Sequence, residues 1–278
     1  MAKRIITLGE IMLRLSTPGH ERFINSQSYE VNYGGAEANV AVSLAYWGLS
    51  AAHVTSFPDH DIGKAAVNTL RFSGVDTSFI RYNEGRMGVY FVENGAMQRS
   101  SKIIYDRFDS AFAKVNVTDF DWEKIFEGAD WFHWTGITPA ISQSAADLCK
   151  AAVDAASKLG VKISADINYR RNLWQYGKGP MDIMPELIES SHLIIAGLTD
   201  FENCMGITET DYLQACEKAK TMCPKLKYVS TTYRDSISAS ENNLSGVLWN
   251  GESMLESKTY EMTHIVDRIG GGDAYMAG

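Results

Sequence analysis

The chain has 278 residues, 45% of them hydrophobic and 22% charged, with a formal net charge of −8 from 34 acidic and 26 basic side chains. That balance belongs to a globular protein with enough chain for one large core or two smaller ones. It carries no basic run of the kind nucleic-acid binders use and no stretch of eighteen apolar residues, which excludes a nucleic-acid partner and a membrane span.

Strand and helix signals alternate along the chain. Arg4 to Leu15 is rich in β-formers and is interrupted too soon for a signal peptide, so a cytoplasmic protein is expected. Ala36 to Trp47 places Ala36, Val40, Ala41, Leu44 and Ala45 at helical spacing and stops at Gly48, a residue suited to end a helix. Asp61 to Phe72 and the alanine-rich Gln143 to Leu159 read as further helices, the second closing at Gly160. Val161 to Asp166, His192 to Ala196 and Lys227 to Thr231 read as buried strands. Helices set between apolar strands mean βαβ units and a mostly parallel sheet, with ligands at the carboxyl ends of its strands. Gly88 to Glu93 and Lys102 to Arg107 alternate as an antiparallel hairpin joined through Asn94-Gly95. The expectation is one α/β domain over residues 1–278, with a small antiparallel lid drawn from about 12–33 and 86–109.

Cys149, Cys204, Cys216 and Cys223 form no C-x-x-C pair and have no histidine cluster beside them. They are expected as buried thiols in a reducing compartment rather than as a zinc site. His133, between Phe132 and Trp134, is expected in the core, as are the aromatic rings around it; Glu37 is expected on a solvated helix face. Asp166 reads as a strand-end cap. Tyr90 and Tyr105 suit either cross-strand packing or ligand contact.

The sequence has no G-x-x-x-x-G-K-[ST], no G-x-G-x-x-G after a strand, no G-x-S-x-G and no H-E-x-x-H. Two glycine sites remain. Asn32-Tyr33-Gly34-Gly35-Ala36-Glu37-Ala38-Asn39 runs into the first helix, and Gly270-Gly271-Gly272-Asp273 opens a small-residue stretch near residue 278. A glycine turn lets backbone approach a ligand, and the free N–H groups of a helix start bind anions. A carboxylate beside such a turn is what phosphoryl transfer to a hydroxyl requires.

Together the two sites resemble the paired signatures of the ribokinase-like (PfkB) carbohydrate kinases, G-G-x-x-x-N early and D-T-x-G-A-G-D late. Phe57-Pro58-Asp59-His60-Asp61-Ile62-Gly63 is similar to the family's G-x-D-x-x-G segment, and Asp166-Ile167-Asn168-Tyr169-Arg170 to its D-x-N-x-R strand end. The resemblance spans essentially the whole chain. Gly9-Glu10-Ile11-Met12-Leu13-Arg14-Leu15 resembles the opening of the branch that phosphorylates 2-keto-3-deoxygluconate.

The resemblance implies ATP and Mg²⁺ as cofactors and Asp273 as the base that takes the proton of a primary hydroxyl, with the amides of Gly270, Gly271 and Gly272 on the phosphoryl oxygens. It places Gly34, Gly35, Asn39, Tyr90, Tyr105, Arg107, Ile137 and Arg170 on the sugar acid. Asn168, Asp200, Thr231, Arg234, Gly270 and Gly272 fall on the nucleotide side. No protein cage for the metal is implied. A sugar acid needs a cation for its carboxylate, and Arg107 and Arg170 offer forked donors, Arg107 from the lid. A homodimer through the lids is the family's arrangement. The alternatives are a neutral-sugar kinase of fructokinase or ribokinase type, or a sugar-acid binder without catalysis.

The sequence departs from the family pattern at several places. Arg268 stands where most members have Thr and Gly271 where they have Ala; Gly197-Leu198-Thr199-Asp200 replaces N-x-x-E; and Thr231-Thr232-Tyr233-Arg234-Asp235 replaces a glycine-containing turn. Family members continue past the aspartate, so the sequence is expected to be C-terminally incomplete, with the stub after Asp273 too short to hold a helix by itself.

Overall fold

The computed structural model describes residues 3–278, and in it the β-rich opening of the chain divides between two sheets. β1 (Arg4–Leu8) is almost wholly buried in the larger sheet, while β2 (Met12–Ser16) enters the smaller one. Arg4 to Leu15 is therefore not one run. The break at Gly9-Glu10 has a long-range cause: the Glu37 carboxylate lies on Gly9, where a Cβ would sit 2.1 Å from Glu37 Oε2.

The chain continues through β3 (Glu30–Gly34), α1 (Ala36–Tyr46), β4 (Ser50–Pro58), α2 (Asp61–Phe72), β5 (Ile80–Asn83), β6 (Val89–Glu93) and β7 (Lys102–Asp106). Next come α3 (Trp122–Ile125), β8 (Trp131–Thr135), α4 (Ile137–Ile141), α5 (Gln143–Lys158), β9 (Lys162–Asp166), α6 (Pro180–Ile188), β10 (Leu193–Ile195), α7 (Leu198–Met205) and α8 (Tyr212–Met222). The chain closes with β11 (Tyr228–Ser236), β12 (Asn242–Trp249), β13 (Met254–Glu256), β14 (Tyr260–Met262) and α9 (Gly271–Ala277).

The large sheet runs β13-β12-β11-β10-β9-β8-β1-β4-β5, with β14 beside β12. Every pairing from β11 through β5 is parallel, and only the β12, β13 and β14 margin is antiparallel. The expected mostly parallel sheet is thus present. The small sheet runs β3-β2-β6-β7; its two outer pairs are antiparallel, and they meet through a parallel β2–β6 contact.

Helices cover both faces of the large sheet. On one face α5 lays Leu148, Cys149, Ala152 and Ala156 against Phe132, Trp134 and Ile163. On the other, Val40, Ala41 and Leu44 of α1 and Ala66, Val67 and Leu70 of α2 cover β1 and β4. Each large side chain removed from water this way contributes about 1.5–3 kcal/mol. Trp131-Phe132-His133-Trp134-Thr135 fills the core as expected, and does so as strand β8 between β1 and β9. His133 is 4% exposed, and burial holds its imidazole down at about 4, so it is neutral in the core. The four cysteines are free and buried. No helix among the described residues is long and apolar enough to cross a membrane.

Thr231 to Asp235, which stands where the family has a glycine-containing turn, continues strand β11 to Ser236 because β12 pairs with it along its length. α4, α6, α7 and α8 have short or mixed apolar patterns and become recognisable only through the sheet they cover. The carboxyl ends of β1, β9, β10 and β11 lead into the cleft that the small sheet overhangs.

Candidate active site

The two glycine sites, far apart in sequence, close on each other. Gly35 precedes α1 in extended backbone, and a Cβ there would lie 2.0 Å from the Glu10 carbonyl oxygen. Only glycine lets the start of α1 sit against the link between β1 and β2. Gly270 has φ +82°, the left-handed region where glycine carries no steric cost, and it turns the chain into α9. Asn39, one turn into α1, donates its Nδ2 to Asp273 Oδ2 at 2.6 Å across 234 residues of sequence.

α9 is a formed helix, although the stub is too short to hold one by itself. Tertiary contacts hold it, not its own length. Tyr275 shares a hydrogen bond of 2.6 Å with Ser230 Oγ on β11, and Met276 and Ala277 pack into the α1 cluster. Its first-turn amides have no intrahelical acceptor. Nothing lies within 4 Å of where a Cβ would stand on Gly271 or Gly272, so the turn faces open space.

That space is a cleft of about 890 Å³. Gly34, Gly35, Asn39, Tyr90, Tyr105, Arg107, Ile137, Asn168, Arg170, Asp200, Thr231, Arg234, Gly270, Gly271, Gly272 and Asp273 all line it. Sequence reasoning picked each of them, and the fold brings all of them to one place.

Asp273 and Asp166 on the large-sheet side hold their protons more tightly than usual. Burial raises Asp273, against the Asn39 hydrogen bond and the Arg170 charge, which both lower it. Burial raises Asp166 well above the carboxylate range, and the charges of Asp200 and Asp273 push the same way. Asp166 is more than a strand-end cap: it lines the cleft and accepts from Asn168 Nδ2 at 3.0 Å. Asp200 is committed to backbone, accepting from Tyr169 N at 2.9 Å and Gly197 N at 2.8 Å. Arg170 and Arg234 are exposed in the cleft, and neither has an acidic partner within 4.0 Å among the described residues.

On the small-sheet side, Tyr90 and Tyr105 face each other across the β6–β7 pair with ring centroids 5.8 Å apart. They serve packing and line the cleft at once. Arg107 differs from the free lid cation expected. It lies just past β7, buried, with Nε and Nη2 both donating to Glu10 Oε2 at 2.9 and 2.5 Å.

Glu37 is a second correction. It is not solvated but 1% exposed, and its Oε1 accepts from Thr135 N, Thr135 Oγ1 and Thr138 Oγ1 at 3.2, 2.8 and 2.8 Å. Burial raises its pKa to about 7, partly offset by those donors. Sequence reasoning missed it because a glutamate in the first turn of a helix is usually a favourable exposed acid. It missed Glu10 as a site residue because Glu10 sits in a short link between two strands. In both cases the adjoining glycine, Gly9 or Gly35, was the only local sign that something packs closely there.

A parallel α/β sheet with an open glycine turn, a half-buried carboxylate beside it and a small sheet overhead is the arrangement of a kinase for small hydroxylated molecules. The chain belongs to the pfkB family of carbohydrate kinases, whose family description matches residues 2–278, and it is a phosphotransferase acting on an alcohol group. It is similar to the 2-dehydro-3-deoxygalactonokinase of Haloferax volcanii, 30% identical over 277 residues, which cover 99% of this chain and 83% of that protein. The crystal structure of 2-dehydro-3-deoxygluconokinase from Thermotoga maritima aligns with a TM-score of 0.93 at 40% identity, covering 99% and 85% of the two chains. An uncharacterized sugar kinase from Pyrococcus horikoshii in complex with ATP shares the fold, with a TM-score of 0.75 at 19% identity over 98% and 82%.

Proposed function

We propose that the protein transfers the γ-phosphoryl group of ATP to the primary hydroxyl of a 2-keto-3-deoxy sugar acid, 2-keto-3-deoxygluconate or the corresponding galactonate. The observation that carries this reading is the meeting of Asp273, held by Asn39 at 2.6 Å, with the open glycine turn and the unpaired Arg170 in one cleft. The names of the similar kinases from Haloferax volcanii and Thermotoga maritima support the sugar-acid class.

In this reading Asp273 accepts the proton of the attacking hydroxyl. Its raised pKa makes it a stronger base than an ordinary aspartate. Asn39 fixes which carboxylate oxygen faces the substrate. The amides opening α9 meet the charge that builds on the phosphoryl oxygens. Arg170 meets the carboxylate or an adjacent oxygen of the sugar acid, and Tyr90 and Tyr105 wall the sugar. ATP supplies the phosphoryl group, and in this reading Arg234 and Thr231, which line the cleft, face the nucleotide.

Magnesium neutralises nucleotide phosphates in such reactions. No group of three or more His, Cys, Asp or Glu among the described residues could hold a metal ion, and Asp200 is taken by two backbone amides. A cage made by the protein does not fit, and the ion would travel with the phosphates and water.

We also place the protein in the cytoplasm as a homodimer through its small sheets. Its free buried cysteines fit a reducing compartment. All five residues of edge strand β7 are exposed, among them Ile103, Ile104 and Tyr105, which leaves a strand edge to be paired. Sedimentation at micromolar concentration should show the dimer, and monomer alone would remove it.

The chemistry is tested by phosphorus NMR of the product after incubation with ATP and 2-keto-3-deoxygluconate. A phosphate coupled to the two protons of a primary carbon is expected. A secondary phosphate ester, or inorganic phosphate alone, would retire the mechanism.

A further inference from the structure

The Glu10–Arg107 pair is costly for its position. Both side chains are buried, at 2% and 6% exposure, beside an open cleft where either could have reached water. Both guanidinium bonds go to Glu10 Oε2, and Oε1 has no hydrogen-bond partner. Oε1 lies against Gly88, where a Cβ would come within 2.8 Å of it. Backbone space has thus been left for a carboxylate that contributes poorly to stability, since buried ion pairs seldom outperform apolar packing. What the arrangement does achieve is orientation. Arg107 leaves the small sheet past β7, whereas Glu10 follows β1 of the large sheet, so the pair spans the two walls of the cleft. With Nε and Nη2 engaged, Nη1 is the nitrogen left without a protein partner.

We infer that Glu10 is a positioning and specificity-determining residue: it pre-orients Arg107 as a donor to the sugar acid and compensates its charge, so that Arg107 contributes direction more than net attraction. The inference rests on the sugar-acid reading above, and two consequences follow from it. Removing the anchor weakens sugar binding and leaves the chemical step at Asp273 intact. Removing only the charge, with an acceptor kept in place, turns Arg107 into an uncompensated cation and sharpens the preference for anions over neutral sugars.

Steady-state kinetics of Glu10→Ala and Glu10→Gln, each with a 2-keto-3-deoxy sugar acid and with a neutral sugar of the same length, separates these roles. Glu10→Ala should raise KM for the acid about tenfold or more while kcat stays within about threefold. Glu10→Gln should raise the acid-over-neutral ratio of kcat/KM about fivefold or more. A fall in kcat with KM unchanged in Glu10→Ala, or identical behaviour of both variants on both sugars, overturns the inference. Should a single variant fail to fold, Glu10→Gln/Arg107→Met removes both charges together. It should restore thermal stability over Arg107→Met alone, and failure to do so equally overturns the pairing. The wild-type preference for acid over neutral sugar tests the sugar-acid reading separately. The KM–kcat split in Glu10→Ala is read on whichever sugar is turned over, so the two failures look different.

Discussion

The two walls of the cleft treat charge in opposite ways. Around the small sheet, four arginines are matched: Arg107 with Glu10, Arg14 with Asp267, Arg86 with Asp106 and Arg99 with Glu93. Along the carboxyl ends of the large sheet, Asp166, Asp200 and Asp273 have no cation within 4.0 Å among the described residues, and neither Arg170 nor Arg234 has an acid. Pairing fixes a shape. Burial without a paired cation raises the proton affinity of Asp166 and Asp273, and leaving cations unpaired keeps them for a ligand. On the proposed reading, the small sheet serves recognition, and the large-sheet wall moves a proton and holds negative charge.

The sharpest way to break this contrast is Asp273→Asn. It removes the proposed base and leaves an isosteric group beside Asn39, so kcat should fall about 10²–10⁴-fold with sugar binding nearly unchanged by calorimetry. Retention of near-wild-type kcat would show that the unpaired wall does not carry the proton.

Glu37→Gln probes the buried acid behind that wall. Glu37 keeps its proton to about 7 when folded but ionises near 4.5 when unfolded. Between those values the unfolded chain binds fewer protons, so stability falls as pH rises through the window. Glutamine keeps an acceptor for Thr135 and Thr138 without the charge. The variant should therefore gain on the order of 3 kcal/mol over wild type at pH 8 and almost nothing near pH 4, read from chemical denaturation. An equal difference at both pH values would mean that Glu37 does not titrate in the folded protein.

Asn39→Ala acts through the single contact to Asp273 and should lower kcat about tenfold. It also has a pH signature. The Asn39 hydrogen bond lowers the Asp273 pKa, so its loss lets the base hold its proton to higher pH. The acidic limb of kcat/KM, along which activity is lost as pH falls, should move upward in Asn39→Ala. An unmoved limb would detach that limb from Asp273.

The smallest effect belongs to the paired wall. Arg14→Met removes an ion pair whose Asp267 side is 44% exposed, and Tm should drop by only about 1–3 °C. A much larger loss would show that the small sheet depends on its charges for stability as well as for shape.

How much of this the sequence discloses follows the same division. Gly34-Gly35, Asn39, Arg170 and Gly270 to Asp273 are legible because local backbone demands and strand-end placement put chemistry where a motif can show it. The parallel sheet is legible through helical and strand periodicity around α1, α2, α5 and β9. Glu37 and the Glu10–Arg107 pair are not, because their roles arise from packing between residues about a hundred positions apart. A buried acid and a solvated acid look alike in sequence; the difference lies in Thr135, Thr138 and the bare Cα of Gly9. The break between β1 and β2 is hidden for the same reason, and the extension of β11 through Thr231 to Ser236 depends on its partner β12.

The central claim is that this cleft phosphorylates a sugar acid. Coupled ADP release by the wild-type protein, with 2-keto-3-deoxygluconate, 2-keto-3-deoxygalactonate, fructose and ribose compared at matched concentrations, tests it most directly. We predict kcat/KM at least about 100-fold higher for one or both sugar acids than for either neutral sugar, the discrimination expected when a charged anchor loses its partner. Equal or better turnover of fructose or ribose would contradict it and make the protein a neutral-sugar kinase.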